Sequence, residues 1–233
     1  MNNYICINGN KTALTAEQMK QLGITPSDPL IADLLATIRS GKAREHFKIH
    51  DTIILCGIEV EIIGFDHDKG ANNNGAPMYT MTLMGKTLLH ERRMHPGACE
   101  RGWIDTDLRK WLNEEYFHTL PEELQKAIHP AIKLTHNFKG DKYETTDRLF
   151  LPSESEMFGS AIWSNYEDGA RYEAFATRHN RIRMDEDGEE CGYWMRSFDG
   201  GFSTNACRVG GNGFATNWGT SNAAPSPLCF LLA

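Results

Sequence analysis

Residues 200–222 hold fifteen Gly, Asn, Ser or Thr residues out of twenty-three, and the apolar run Leu228-Cys229-Phe230-Leu231-Leu232 follows them closely. A stretch this polar cannot supply a core, whereas the run after it reads as a buried strand. Segments of such composition travel over a surface as loops, held by a scaffold built elsewhere.

Large side chains punctuate this part of the chain at Phe198, Phe202, Arg208, Phe214 and Trp218. Aromatic rings give contact area at low conformational cost, and small polar neighbours give adaptable hydrogen bonds, which is the composition of recognition surfaces. The expected ligand-binding residues are Phe198, Phe202, Thr204, Asn205, Arg208, Asn212, Phe214, Thr216, Trp218 and Asn222. The competing reading makes Phe214 and Trp218 anchors that pin the loops to the core.

The remaining chain supplies the scaffold. Tyr4-Ile5-Cys6-Ile7 and Lys11-Thr12-Ala13-Leu14 flank an Asn8-Gly9-Asn10 turn and predict a hairpin. A helix start at Thr15, with Met19 and Leu22 on one face, predicts one helix; Leu30, Ile31, Leu34, Leu35 and Ile38 before Gly41 predict another. Residues 52–60 and 61–65 read as a strand pair around a Cys-Gly turn, 66–77 as a long exposed hairpin loop, and 78–84 as the returning strand. Leu108, Trp111, Leu112 and Tyr116 form the stripe of an amphipathic helix over 105–117, and Pro121 with Glu122 and Glu123 opens a second. Beyond residue 130 the helical signal fades, so the last hundred residues are expected to be mostly irregular. The expected fold class is α+β: a hairpin-and-helix appendage over 1–45, either packed on the rest or mediating a homo-oligomer, and one domain over 46–233.

Charge and cysteine usage narrow the partners. Lys plus Arg number 24 against 31 Asp plus Glu, a formal charge of -7, so the chain lacks the positive field that holds phosphate backbones and nucleic acid is not an expected partner. No apolar run approaches the roughly 18 residues of a membrane-spanning helix, and Met1-Asn2-Asn3-Tyr4-Ile5-Cys6 does not look like a secretion signal. A cytoplasmic or virion-associated protein is expected. The six cysteines include no C-x-x-C pair, which gives zinc no support and suits reduced, buried thiols.

Three motifs occur in order: Trp103-Ile104-Asp105-Thr106-Asp107-Leu108-Arg109-Lys110-Trp111-Leu112-Asn113, then Asp147-Arg148-Leu149-Phe150-Leu151-Pro152-Ser153-Glu154-Ser155-Glu156, then Tyr193-Trp194-Met195-Arg196-Ser197. Over roughly residues 48–233 the chain resembles an uncharacterised family of bacterial and phage proteins with a C-type-lectin-like fold. That family is similar to formylglycine-generating enzymes and to the variable proteins diversified by retroelements. The resemblance implies short strands, two flanking helices and ligand-presenting loops between the Trp-x-Arg-Ser strand and the end, here 198–222. It implies a non-catalytic domain that binds a protein or another surface ligand, as part of a phage particle or bacterial display system. The residues Ala224-Pro225-Ser226-Pro227-Leu228-Cys229-Phe230 depart from the family's Gly-Val-Arg-Pro ending and lack its arginine.

Rival sites are weaker. Cys207 and Cys229 stand where formylglycine-generating relatives bind copper, and two thiolates suit Cu(I), but an inert buried thiol is the simpler account of Cys229. A structural assembly component without a ligand is the third alternative. Residues 184–190 are acidic around Gly188 and could gather calcium, yet they lack EF-hand spacing and read as a solvated hairpin tip. The basic run His179-Asn180-Arg181-Ile182-Arg183 is expected to pair with that acidic run. No catalytic residue and no resident cofactor is assigned.

Overall fold

The computed structural model describes residues 28–71 and 78–233. The hairpin and first helix expected over residues 4–23 lie outside them. The chain enters through α1 (Asp28–Arg39) and α2 (Ala43–His46), then forms β1 (Thr52–Leu55), β2 (Ile58–Phe65), β3 (Lys69–Gly70), β4 (Met81–Gly85) and β5 (Leu89–Arg93). A helical segment containing α3 (Asp107–Lys110) leads to α4 (Glu122–Ala127), β6 (Ile128–His129), β7 (Ala131–His136), β8 (Lys142–Asp147), β9 (Leu149–Phe150) and α5 (Glu154–Phe158). The final third holds β10 (Arg183–Met184), β11 (Glu190–Cys191), β12 (Tyr193–Phe198), β13 (Asn205–Val209), β14 (Ala215–Gly219), β15 (Ala223–Ser226) and β16 (Cys229–Leu232). The architecture is mixed α+β, with many short strands in small sheets and few helices. Among the described residues no helix is long and apolar enough to cross a membrane.

The main sheet is antiparallel in the order β1-β2-β4-β16-β6, and β9 also pairs with β16. Phe230 of β16 lies opposite Leu83 on one side and Leu149 on the other. Phe230 and Leu232 pack with Leu83, Trp103 and Leu112 on one face; Cys229 and Leu231 pack with Met84, Phe150 and Tyr193 on the other. A strand covered on both faces needs an unbroken apolar run, which is what residues 228–232 supply. Ile31, Leu34 and Ile38 of α1 are buried in the same cluster as Phe230, and Arg39 Nε donates to Ala233 O at 3.1 Å, so residues 28–39 pack on this domain.

Each of the three motifs closes a part of this scaffold. Asp147, fully buried, accepts from Trp103 Nε1 at 3.0 Å, Arg109 Nε at 2.7 Å and Thr145 Oγ1 at 2.8 Å. Asn113 Nδ2 donates to Leu149 O at 2.8 Å and its Oδ1 accepts from Arg148 N and Leu149 N at 2.7 and 3.1 Å, so its amide binds β9 as a neighbouring strand would. Ser153 and Glu156 form a reciprocal capping box at the start of α5. Arg196 on β12 holds Glu156 through both carboxylate oxygens.

Several expectations need correction. The helix over 105–117 is not one α-helix: a 3-10 turn at Gly102–Asp105, α3, a π turn at Trp111–Glu115 and a 3-10 turn at Tyr116–Thr119 follow one another. The wider π turn accompanies Asn113 bonding across to the β9 backbone, a tertiary contact the local pattern does not reveal. The 66–77 loop is not wholly exposed, because β3 pairs with β7 and Asp68 is buried, while residues 72–77 lie outside the description. About half of the last hundred residues lie in strands or helical turns, more than expected, and 200–222 holds β13 and β14, paired in continuous register, between its turns. Its small polar residues form strands because β13 pairs with the buried strand β12 and β14 with β13.

Replacing Asp147 by Ala leaves the Trp103 indole N–H and Arg109 Nε without their acceptor. Loss of about 3 kcal/mol in urea unfolding is expected, the scale of a broken buried pair. A loss under about 1 kcal/mol would show that the clamp does not hold the helical segment to β8.

Candidate functional site

The sheet β12-β13-β14 is anchored at one side and open at the other. Trp194, Phe198 and Ala206 enter the core cluster around Phe230, while Tyr193, Met195, Cys207 and Val209 enter the cluster around Leu231. The outer strand β14 is only partly covered, with Trp218 42% exposed. Arg208 reaches across from β13 and lies 4.3 Å over the Trp218 ring and 5.6 Å from that of Trp194. Burial lowers the pKa of its guanidinium, and its Nε is buried without a hydrogen bond. At the hairpin tip, Phe214 is 55% exposed beneath Arg178, 5.0 Å from its ring centre. Gly213 closes this turn at φ +79, where a Cβ would sit 2.6 Å from Arg178 O, so no side chain fits.

Nine of the ten expected ligand-binding residues are at least partly exposed; Phe198 is not. Phe198 is buried against Gly102, so it anchors the sheet and contacts no ligand. Phe202 is 61% exposed, and Thr204, Asn212, Phe214 and Trp218 also face solvent. Asn205, Arg208, Thr216 and Asn222 are half-buried. Arg208, Thr216 and Trp218 are brought together on one face, with Phe202 and Thr204 at one end of the hairpin and Asn212 and Phe214 at the other.

A second loop that the sequence reading missed meets this sheet at the Asp199–Gly200 turn, on the side to which Cys207 points. Glu154 is buried, and its Oε2 accepts the backbone N–H groups of Ile162, Trp163 and Ser164, each at 2.9 Å. The loop so held presents Ile162 and Trp163, 52% and 44% exposed, and Gly200 N donates to Trp163 O at 2.8 Å, beside Phe202. The available signal was a tryptophan in the polar run Ser160 to Gly169.

A cleft of about 640 Å³ opens between residues 66–69, 132–134 and 167–170, with Asp68, Lys133, Glu156 and Arg196 at its floor. Ligand atoms of His67, Asp68 and Glu156 lie within 4.8 Å of one another, a spacing compatible with a metal ion. The Lys133 ammonium already fills that role: it bonds Asp68 Oδ1, Tyr172 Oη at 2.9 Å and Glu156 Oε1 at 3.3 Å, using all three of its donors. Arg196 is equally saturated, by Glu156, Thr135 Oγ1 and the carbonyls of Leu134, Leu151 and Asp168. The cleft floor is a closed network whose chemistry is structural. Burial pushes the Asp68 carboxyl up, but the Lys133 charge, with hydrogen bonds from Lys133 and Thr82, outweighs it and holds the pKa at about 2. Glu156 is lowered in the same manner, burial being overcome by Arg196 and Lys133. Asp168, which accepts His136 N at 2.9 Å and Nδ1 at 2.7 Å, is instead raised by burial.

The remaining candidates are placed as follows. Cys207 and Cys229 are both buried, and burial raises both thiols well above their ordinary range. Residues 185–188 form the tip of the β10-β11 hairpin, with Gly188 at φ +83. The basic run does not pair with this tip: Arg183 bonds Glu61 at 3.0 Å, and Arg181 donates to the carbonyls of Phe175 and Gly213.

A family model described as a domain of unknown function (DUF6273) matches residues 79–231, a span that holds β4 through most of β16 and all of the β12-β13-β14 sheet. No curated protein and no solved structure matches the chain.

Two outcomes test the cleft. Asp68 has a folded pKa below its unfolded value near 4, so its contribution is present above about pH 4 and is lost as pH falls toward 2; about 2–3 kcal/mol should disappear in urea midpoints across that window. Asp68→Asn should flatten that slope. Separately, Lys133→Ala vacates the cation position, so Mn²⁺ should raise the melting temperature of this variant and leave the wild type unchanged; equal responses would refute the view that the ammonium occupies a cation site.

Proposed function

The chain belongs to the DUF6273 family, and from that premise we propose that it is a non-catalytic binding domain. It recognises a partner protein through the face made by residues 160–167, residues 198–204 and the β13-β14 hairpin. One observation carries the reading. Of the eight large apolar residues exposed among the described residues, five lie in these three neighbouring segments: Ile162, Trp163, Phe202, Phe214 and Trp218. Exposing several aromatics on the parts of one surface costs solubility unless a partner covers them, and aromatics with Arg beside them are the residues on which binding energy concentrates. The face is also rigidly mounted, because Glu154, Gly200 and the buried half of the sheet fix its backbone. Preorganised loops bind without repaying ordering entropy.

The many short strands and the exposed hairpin suit a domain of C-type-lectin type, and a bacterial or phage display role follows from that reading. The copper-oxidase alternative would need an accessible thiolate, whereas both cysteine side chains are buried and protonated. A purely structural component would be expected to bury these rings against its own core.

Trp163→Ala and Phe202→Ala test the proposal. Each removes an exposed ring, so the melting temperature should move by no more than about 2 °C. Partners captured from host lysate by the wild type, quantified by mass spectrometry, should be lost from both variants. Unchanged capture, or a drop in melting of many degrees, would assign these rings to structure.

A further inference from the structure

The hydrogen-bond phase of the β13-β14 hairpin is fixed at both ends. Thr220 N donates to Thr204 O at 2.8 Å, and Gly210 N to Phe214 O at 2.8 Å. Opposed pairs in an antiparallel ladder alternate between bonded and non-bonded. The bonded pairs are therefore Ala206 with Trp218 and Arg208 with Thr216, and the backbone groups of Ala215, Asn217 and Gly219 point away from β13. β14 is the outer strand of its three-stranded sheet. Asn222 N takes Gly219 O at 3.0 Å, but among the described residues the outward N–H groups of Ala215 and Asn217 have no acceptor. Proteins ordinarily blunt an open edge with Lys, Pro or a bulge. The strand Ala215-Thr216-Asn217-Trp218-Gly219 has neither residue, carries no charge and keeps continuous register.

Two cations near this strand, Arg208 on the neighbouring strand β13 against the Trp218 ring and Arg178 over Phe214, have no ionic partner among the described residues. Arg208 forms no ion pair and its Nε is unbonded; Arg178 is exposed and covers Phe214. We propose that β14 accepts an extended segment of another protein as a fourth strand, and that this segment carries acidic side chains which meet Arg208 and Arg178. This rests on the recognition face described above. The backbone edge supplies general affinity and the two arginines select charge, the division of labour in strand addition. A second copy of this chain is the poorer occupant. Pairing β14 with its own equivalent would bring Arg208 and Arg178 toward like charges, with no carboxylate in the strand to meet them.

The test uses the whole chain and synthetic peptides of about ten residues, a length that covers a five-residue strand with margin. A peptide alternating Val and Glu should bind, shift Trp218 fluorescence, and protect the amides of Ala215 and Asn217 from hydrogen exchange. The Val-Lys version should bind roughly tenfold more weakly, and N-methylation of alternate peptide bonds should abolish the protection. Arg178→Gln, at an exposed position, should weaken the Val-Glu peptide several-fold without changing the melting temperature. No protection at Ala215 and Asn217, or equal binding of the N-methylated peptide, overturns the proposal. So does a peptide-free chain that sediments as a dimer with both amides already protected, which would assign the edge to self-pairing. Should strand addition fail while Trp163→Ala and Phe202→Ala still lose their partner, the recognition face stands without it; should those variants keep their partner, the face itself is wrong.

Discussion

The rest of the structure depends on a two-point ion pair in the interior, between Arg196 of β12 and Glu156 at the start of α5. Both side chains are almost wholly buried, and each is satisfied again by other groups: Glu156 by Ser153 N at 2.9 Å, Arg196 by carbonyls from three separate segments. A buried pair of this kind repays its desolvation cost only with near-ideal geometry and is weak evidence of net stability. Its effect is on uniqueness. A guanidinium with five fixed donors accepts one arrangement of β7, the 151–153 segment, α5 and the 168 loop, and any slip of β12 would strand a charge in the core. Lys133 extends the same constraint to Asp68 and Tyr172, so the network spans from residue 68 to residue 196.

That role explains which parts of the fold were legible in the sequence. Apolar runs were read well, since the burial of β16 follows from its unbroken apolar run and that of α1 from helical periodicity. The quoted motifs were legible as words but not as functions. Trp103 and Arg109 meet at Asp147, Asn113 binds the Leu149 backbone and Arg196 holds Glu156, all across long sequence distances, and such bonds leave no periodic trace. The same blindness hid the π turn and the burial of Asp68, each decided by a partner more than a dozen residues away. Conversely, the polar composition of 200–222 suggested loops because local propensity for Gly and Asn disfavours strands. Tertiary pairing with β12 overrides that preference here.

The ten expected binding residues divide along the same line. Phe198 ends the strand β12 and proves to be an anchor, whereas Phe202, Phe214 and Trp218, in the turns and the outer strand, stay outside. Position in the sheet separates the two cases, since β12 is buried throughout and no residue of β14 is. Trp163 lies outside any strand, on the loop held by Glu154, and no periodic pattern marks that position.

The division between scaffold and surface has a consequence for what the hairpin can tolerate. Along β13 the inward positions Ala206, Cys207 and Val209 are buried, and along β14 no residue is. The strand nearest solvent therefore contributes little to the core, and substitutions at its exposed side chains should cost within about 0.5 kcal/mol. Its backbone path is set instead by Gly213 at the tip, by Asn217 Nδ2 bonding Asp199 Oδ2 at 2.5 Å, and by the ladder to β13. A strand whose shape is fixed by its neighbours while its side chains are free of packing duty can change what it recognises without changing how it folds. The buried charges make this separation possible: by concentrating specification of the fold at Glu156 and Arg196, far from the open edge, they leave the outer face unconstrained.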